Sequence, residues 1–480
     1  MFSLCATVRG PPYGGQSNKR MPLNSKEKES LLDGTFALDC PMLELVPRNP
    51  SSTLSSYQGA GSIILNEAGH FEIKLYTRGE APLEEVFAPL RWEIGKLIHG
   101  DNYYNLIAWD VRGRKWQAEG LLPNHNSGSN GTVISGKASQ LTLREEKTGG
   151  HFLHLTFRSE VRFAPNRVVR TERRVDGNIR NWKGDLNLAQ FVACGIEFEI
   201  EKVNGVTHLM AASKSVSFDE KTVDCIAQTF TFITGDMARW TLSEMGDGAE
   251  VETRVLATVP TDKRSRIGPP IRHDVQHQDV WVLFERYLSY GLKSAETFHP
   301  LGPLVRGILA SGLAAIEVQA LVLSVSVESL LNNHFSKVMP EDPVTATNIQ
   351  AVEKLVNEAG CLDDGFRKRL TGTLANMKRP RAKDFLFHLR DQNLLDADLV
   401  KSYGELRNKS AHGGDVNWGD FQSHLDQCSA VLVLFYQLVF LRIGYTGQYT
   451  NYADYGYPPR SFIAALPDQT NNGTQDSADV

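Results

Sequence analysis

The chain has 480 residues, of which 41% are hydrophobic and 22% are charged. This composition is ordinary for a globular protein and excludes a collagen-like, wholly disordered or purely coiled-coil chain. The formal net charge of −5 excludes a chain that is basic throughout, although a local basic surface remains compatible with nucleic-acid binding. At about 150 residues per domain, the length corresponds to roughly two to four domains.

The cysteine pattern and the apolar segments predict a soluble, cytoplasmic protein that does not associate with a membrane. The six cysteines are scattered without a Cys-x-x-Cys pair, which favours reduced thiols over a zinc ribbon or a disulfide scaffold. Residues 1–20 contain no long apolar segment and so do not resemble a secretory signal. The longest apolar stretch, residues 430–441, is shorter than the roughly 20 residues that a bilayer span needs.

The N-terminal half has the pattern of a β-rich module. Residues 1–31 are polar and rich in Gly, Pro and Ser, which predicts a flexible extension. Within residues 32–259, apolar and charged side chains alternate, for example over residues 71–75 and 196–201. Such alternation is typical of strands with one buried face. We therefore expect one or two sandwich- or barrel-like domains in this region.

The C-terminal half changes to a helical period after a polar, proline-bounded linker at residues 260–272. We expect a helical domain over residues 273–446, followed by a Tyr/Gly/Pro-rich and polar tail over residues 447–480. An apolar stripe with steps of three and four predicts one helix of about 30 residues after Pro303. Its members are Leu309, Leu313, Ile316, Ala320, Leu323, Val327 and Leu330. Further helices are predicted near residues 279–299, 344–358, 363–377, 397–406 and 417–443. The predicted fold class is thus α+β and multidomain.

One short run between two predicted helices carries the residues of a candidate active site. Residues 406–414 read Leu-Arg-Asn-Lys-Ser-Ala-His-Gly-Gly, so His412 follows Arg407 by five positions. At about 100° per residue, five positions are offset by about 140° on a regular helix, and the two side chains would not share a face. Either the glycines end the helix and free His412 to turn, or the two residues face a cleft that a second protomer completes. A structural alternative is a helix C-terminus at which Arg and His complement the helix dipole.

The Arg-Asn-x-x-Ala-His-Gly run, within the helical pattern of residues 275–450, resembles the Arg-x4–6-His motif of HEPN domains. This resemblance implies an all-α HEPN bundle that forms a homodimer or a higher homo-oligomer. It also implies a metal-independent endoribonuclease that needs no cofactor and acts on RNA, with Arg407, His412 and Asn408 as the site residues.

The chemistry of these residue types fits RNA cleavage. Histidine titrates near neutral pH and can transfer the protons of the 2′-OH and of the leaving oxygen. Arginine stays cationic and matches phosphate oxygens in a bidentate geometry. Asn408 can orient this pair or contact phosphate with its amide. The expected products are a 2′,3′-cyclic phosphate and a 5′-OH.

The two-part layout resembles the ApeA-type anti-phage proteins of bacteria. That resemblance implies a toxin-like role in abortive infection, with host or phage RNA as the substrate. It also implies that the N-terminal module is regulatory and senses a phage-derived trigger or restrains the nuclease.

Several further residues are candidates for supporting roles. Glu328, on the predicted long helix, is a candidate acidic partner for the Arg or the His. A local basic stretch predicts contact with an RNA backbone; its members are Arg367, Lys368, Arg369, Lys378, Arg379, Arg381 and Lys383. Phe385, Phe387 and His388 lie within or beside this stretch and are candidates for base stacking. The alternative is a solvated basic helix face with Phe385 or Phe387 in the core.

Two other functions remain open from the residues alone. The first is a non-catalytic HEPN dimerisation or nucleotide-binding scaffold with a ligand-binding β module. The second is a carbohydrate- or peptide-binding β-sandwich with a helical oligomerisation domain. The sequence contains no HExxH, Walker A, GxSxG or strand-linked GxGxxG motif, so it predicts no metal site and no nucleotide cofactor.

Overall fold

The computed structural model of the chain describes most of its residues. The described ranges are 23–78, 81–87, 95–128, 131–146, 150–175, 178–257, 265–273, 277–336, 338–339, 343–377, 380–411, 421–464 and residue 466. Strands dominate up to residue 256 and helices dominate from residue 277. The predicted α+β class, with a β-rich N-terminal half and a helical C-terminal region, is therefore confirmed.

The described residues contain seventeen strands and eleven α-helices. The strands are β1 (Ala37–Pro47), β2 (Tyr57–Leu65), β3 (Phe71–Thr77), β4 (Tyr104–Trp109), β5 (Lys115–Leu121), β6 (Asn124–Gly128), β7 (Gly131–Ala138), β8 (Gln140–Glu146), β9 (His151–Phe157), β10 (Arg167–Val175), β11 (Asn178–Ala193), β12 (Ile196–Val203), β13 (Val206–Ser213), β14 (Trp240–Asp247), β15 (Glu250–Leu256), β16 (Gly447–Thr450) and β17 (Pro459–Phe462). The helices are α1 (Ser25–Asp33), α2 (Leu83–Val86), α3 (Glu220–Thr234), α4 (His277–Lys293), α5 (Gly302–Ser311), α6 (Ile316–His334), α7 (Pro343–Glu358), α8 (Asp364–Met377), α9 (Ala382–Asp391), α10 (Ala397–Ala411) and α11 (Phe421–Ile443).

The chain divides into two compact units at a place that differs from the sequence-based boundary. The first unit comprises Met1–Gly149 and Thr241–Val259, and the second comprises Gly150–Trp240 and Pro260–Val480. Residues 150–240 therefore belong with the helices and not with the rest of the predicted module 32–259. Alternation along a strand identifies its buried face but not the element against which that face packs, so it cannot show this division.

The first unit is built on an antiparallel sheet with the strand order β14-β15-β8-β5-β4-β1-β2-β3-β7-β6. The alternation read from residues 71–75 is real, since Phe71, Ile73 and Leu75 are buried while Lys74 is exposed. The first unit also contains α1, so residues 25–31 of the predicted flexible extension are helical, whereas residues 1–22 lie outside the described residues. The Asn24 side chain and Glu27 form a reciprocal capping box that starts this helix.

The second unit contains five antiparallel strands, in the order β10-β11-β12-β13-β9, and the helices from α3 onward. Helix α3 lies within the segment predicted as β-rich. Its sequence contains four threonines, two phenylalanines and two isoleucines, residue types that favour strands. Packing overrides this preference: α3 packs on α4, and the rings of Phe232 and Tyr287 stack with centroids 4.3 Å apart.

The single long helix predicted after Pro303 is two helices, α5 and α6, separated by a break at residues 312–315. Ser265 Oγ donates a 2.7 Å hydrogen bond to the Leu309 carbonyl near the end of α5. A Cβ at Gly312 would lie 2.3 Å from Ser265 Oγ and 2.8 Å from Ile267 Cγ1. The backbone of residues 265–267 therefore packs against the end of α5, which a periodic stripe cannot reveal.

Helix α11 is the core of the helical region. Its length and composition would allow it to cross a membrane, but 78% of its most apolar window is buried inside the protein. The prediction of a buried core helix is therefore confirmed. The start of the predicted tail is folded as well, because β16 and β17 form a hairpin whose Tyr449 and Phe462 pack on Phe440.

His299 is a buried, neutral histidine in the core of the second unit. Its ring stacks on Tyr287 with centroids 4.1 Å apart. The Leu301 N–H donates to Nδ1 at 3.2 Å, and Nε2 lies 3.1 Å from the Tyr287 carbonyl oxygen. Since Nδ1 accepts, Nε2 carries the proton and donates it. Burial lowers the pKa of His299 to about 4, against the opposing effects of the Tyr287 carbonyl and of Asp224.

We predict that the free energy of unfolding decreases as the pH falls from about 6.5 to 4. Over this window the unfolded chain protonates His299 and the folded chain does not, so protons favour unfolding, by about 3 kcal/mol at the full shift. Urea denaturation at successive pH values measures this change. His299→Phe keeps a ring in the site and cannot titrate, so its stability should depend less on pH. Equal pH dependence in both proteins would contradict the prediction.

Candidate active site

Arg407 lies in the last two turns of α10, at the edge of its buried face. Leu399, Val400, Tyr403 and Leu406 are buried and recur with helical spacing, so they fix the rotation of α10 against its neighbours. The helix continues to Ala411, five residues beyond the predicted end. Arg407 and Asn408 are therefore helical residues and do not lie in a connection between helices.

The guanidinium of Arg407 is held by Glu328 on the neighbouring helix α6. Its Nε and Nη2 atoms each lie 3.1 Å from Glu328 Oε2. The side chains are 47% and 38% exposed, so solvent reaches both partners. The sequence-based expectation that Glu328 is an acidic partner of the Arg thus agrees with the observed contact. The functional role of that contact stays a prediction.

Tyr403 is a third member of this cluster that the sequence analysis missed. It lies one helical turn before Arg407, and its buried hydroxyl forms no hydrogen bond with the described residues. Burial, followed by the charge of Glu328, raises the pKa of Tyr403 to about 12. The pKa of Arg407 is also raised, chiefly by its hydrogen bond to Glu328. The i, i+4 spacing of a Tyr and an Arg on a predicted helix was the available signal.

The other described residues of the motif face different surroundings. Asn408 is exposed to solvent. Lys409 donates to Gln427 Oε1 at 3.3 Å, and Gln427 Nε2 donates to Glu405 at 2.9 Å. These bonds tie the end of α10 to α11 on the side away from Arg407, because positions 407 and 409 are about 200° apart on a helix.

His412 lies outside the described residues, as do Gly413 and Gly414. The expectation that a helix end frees His412 to turn toward Arg407, or that a second protomer completes the cleft, therefore stays a prediction.

In the predicted basic stretch, one arginine is bound by backbone carbonyls and several other cations are exposed to solvent. Arg367 Nη2 donates to the Ala359 and Leu362 carbonyls at 3.0 and 3.2 Å, so this side chain closes the turn between α7 and α8. The exposed cations of the stretch are Lys368, Arg369, Arg381 and Lys383. Lys378 and Arg379 lie outside the described residues.

The two phenylalanines near this stretch lie on different faces of α9. Phe385 is buried in the core, so the expectation that it stacks on bases is wrong. Phe387 is partly exposed on the opposite side of the helix. His388 is also partly exposed, and its Nε2 lies 3.1 Å from Gln392 Nε2.

In the part of the chain that the structure describes, no three His, Cys, Asp or Glu side chains lie close enough together to hold a metal ion. The comparisons with known proteins give no neighbour: no family model, no curated protein and no solved structure matches this chain.

We predict that Glu328→Gln changes the free energy of unfolding by less than about 1 kcal/mol, because half-exposed ion pairs contribute little to stability. Chemical denaturation measures the change. Glu358→Gln is the matched control, since Glu358 lies 3.9 Å from Lys354 in an exposed pair on α7. A loss of several kcal/mol for Glu328→Gln alone would show that the pair is a structural element of the fold.

Proposed function

We propose that the chain is a metal-independent endoribonuclease of the HEPN type, in which Arg407 binds the scissile phosphate and His412 transfers protons. The observation that supports this most directly is the Arg407 guanidinium, which is fixed by Glu328 while 47% of the side chain remains exposed. An oriented and accessible cation is what a phosphorane requires for stabilisation. The Arg-x4-His spacing of the sequence supplies the titrating partner.

The proposed reaction is a transesterification within the RNA and needs no added reagent. A base removes the proton of the 2′-OH, and the 2′-oxygen attacks the phosphorus. The bond from phosphorus to the 5′-oxygen breaks, and that oxygen receives a proton. The products are a 2′,3′-cyclic phosphate and a 5′-OH. In this scheme Arg407 neutralises the growing negative charge, and Glu328 fixes its orientation.

The proposal includes a homodimer or higher homo-oligomer formed through α6. This helix buries Leu323, Val327 and Leu330, yet also exposes an apolar stripe. Val318, Leu321 and Val325 are 46%, 47% and 55% exposed, with steps of three and four. Glu328 follows Val325 by three positions and so continues the stripe. A second copy packed on this stripe would lie next to the Glu328–Arg407 pair.

The proposed biological role is cytoplasmic anti-phage defence by abortive infection, with host or phage RNA as the target. The N-terminal β-rich region would respond to a phage-derived trigger. These parts of the proposal rest on the resemblance of the two-part layout to ApeA-type proteins.

We predict that Arg407→Ala and His412→Ala each lower the rate of RNA cleavage by about 10²-fold or more, since each removes a charge or a proton-transfer group from the transition state. The measurement is end-group analysis of RNA cut by the purified full-length protein. A 2′,3′-cyclic phosphate and a 5′-OH are expected, and chelation of divalent metals should leave the rate unchanged.

Arg460→Ala is the matched control for the arginine change. Arg460 is half exposed and pairs with Asp454, so its loss removes a comparable ion pair outside the motif, and cleavage should persist. Products with a 5′-phosphate, or undiminished cleavage by both motif variants, would rule out the proposed mechanism. Absence of any cleavage by the wild-type chain would favour the non-catalytic scaffold.

We predict that Leu321→Asp converts the oligomer to a monomer and lowers cleavage, because a carboxylate in the apolar stripe would be buried without a partner in the interface. Light scattering coupled to gel filtration measures the mass. Leu83→Asp, at an exposed position of α2, is the control and should keep the wild-type mass. An unchanged mass for Leu321→Asp would place the interface elsewhere or show that there is none.

A further inference from the structure

Helix α9 places an aromatic residue on its solvent side. Ala382, Phe385, Leu386 and Leu389 are buried and anchor the helix. Phe387 lies outside this buried face and is partly exposed. Phe387 thus does not belong to the buried face that anchors α9.

Two cations flank the Phe387 ring. Lys383, one turn earlier, places Nζ 5.1 Å from the ring centroid, and Arg390, about one turn later, places Cζ 4.6 Å from it. Arg390 also bonds to Asp391 through Nε and Nη2 at 2.8 and 2.7 Å. Lys383 forms no ion pair with a residue in the described ranges. Lys383, Phe387 and Arg390 form what we call the α9 platform.

The segment of the sequence that contains the α9 platform is more basic than the chain as a whole. Residues 363–391 contain eight Lys and Arg against four Asp, whereas the entire chain has a net charge of −5. On α9 and its N-cap, Arg381, Lys383 and Arg390 stand against Asp384 and Asp391, a small local excess of positive charge that favours a polyanion. Helix α9 packs against α6 and α10, the helices that carry Glu328 and Arg407. A ligand bound to α9 would thus lie on the same group of packed helices as the candidate site.

We propose that the α9 platform binds single-stranded RNA: a base stacks on the Phe387 ring in place of one of the two cations, and Lys383 and Arg390 contact the phosphates. Bases of a single strand offer free π-faces to an aromatic ring, whereas bases of a duplex stack on each other. Flanking cations suit the phosphates on either side of such a base. The inference rests on the proposed function in that the bound RNA is the substrate of the Arg407 site.

Binding of a fluorescent single-stranded RNA to the full-length protein tests the platform. The Arg407→Ala background is used because it slows cleavage, so that affinity can be read separately. Phe387→Ala is expected to weaken binding by about five- to 150-fold, the range for loss of one stacked base. Phe387→Trp should retain the affinity, because it keeps an aromatic face. Lys383→Gln should lower the slope of log Kd against log salt by about 0.7.

Phe298→Ala is the matched control, since Phe298 is an exposed phenylalanine in the connection before α5, and its affinity should be unchanged. Equal binding by the Phe387→Ala and Phe298→Ala variants would overturn the platform. An equal loss of affinity for double-stranded RNA would also overturn it, because duplex bases cannot stack on the ring.

The two proposals fail separately. If the wild-type chain binds RNA through Phe387 but cuts none, the α9 platform stands and the proposed nuclease function falls. If the wild-type chain cuts RNA with the expected ends while Phe387→Ala leaves the affinity unchanged, the nuclease stands and the platform falls.

Discussion

The constraint on which the helical region depends is the need to cover α11 on every side. Residues 430–441 are all buried, and a helix that is apolar around its whole circumference must be surrounded by other elements. Helices α4, α6 and α10 pack on it, and Tyr449 covers Phe440 from the terminal hairpin. Because α6 and α10 share α11 as a support and also contact each other, Glu328 and Arg407 meet across their edges.

The sequence predicted helices correctly where the periodic pattern of apolar residues was regular. The bounds predicted for α7 and α8 agree with the structure to within one residue, because each has an uninterrupted helical pattern. The prediction failed where tertiary packing competes with local preference. Helix α3 forms from β-favouring residues because it packs on α4. The break at Gly312 depends on the remote residue Ser265, and α9 lies in a segment that was interpreted only through its charge.

The candidate site was predictable only in part, for a related reason. The sequence offered Glu328 as a partner of the arginine, and the two side chains are in contact. It could not tell which basic residues act on a ligand. Arg367 is engaged by backbone carbonyls, and Phe385 is in the core, whereas Lys383 and Phe387 meet on the solvent side of α9. A count of charges along the chain is therefore a poor measure of the surface that RNA would meet.

The proposed function requires Arg407 to contact a carboxylate and a phosphate at the same time, and the geometry of the ion pair is compatible with this. Its contacts to Glu328 run from Nε and Nη2 to the single oxygen Oε2. A guanidinium carries five N–H groups in a planar fork, so about three stay available, including those of Nη1. The edge between Nη1 and Nη2 is suited to bidentate contact with phosphate. An exposed pair contributes at most about 1 kcal/mol to stability, so under the proposed function the main effect of the Glu328 contact would be to hold this edge in place.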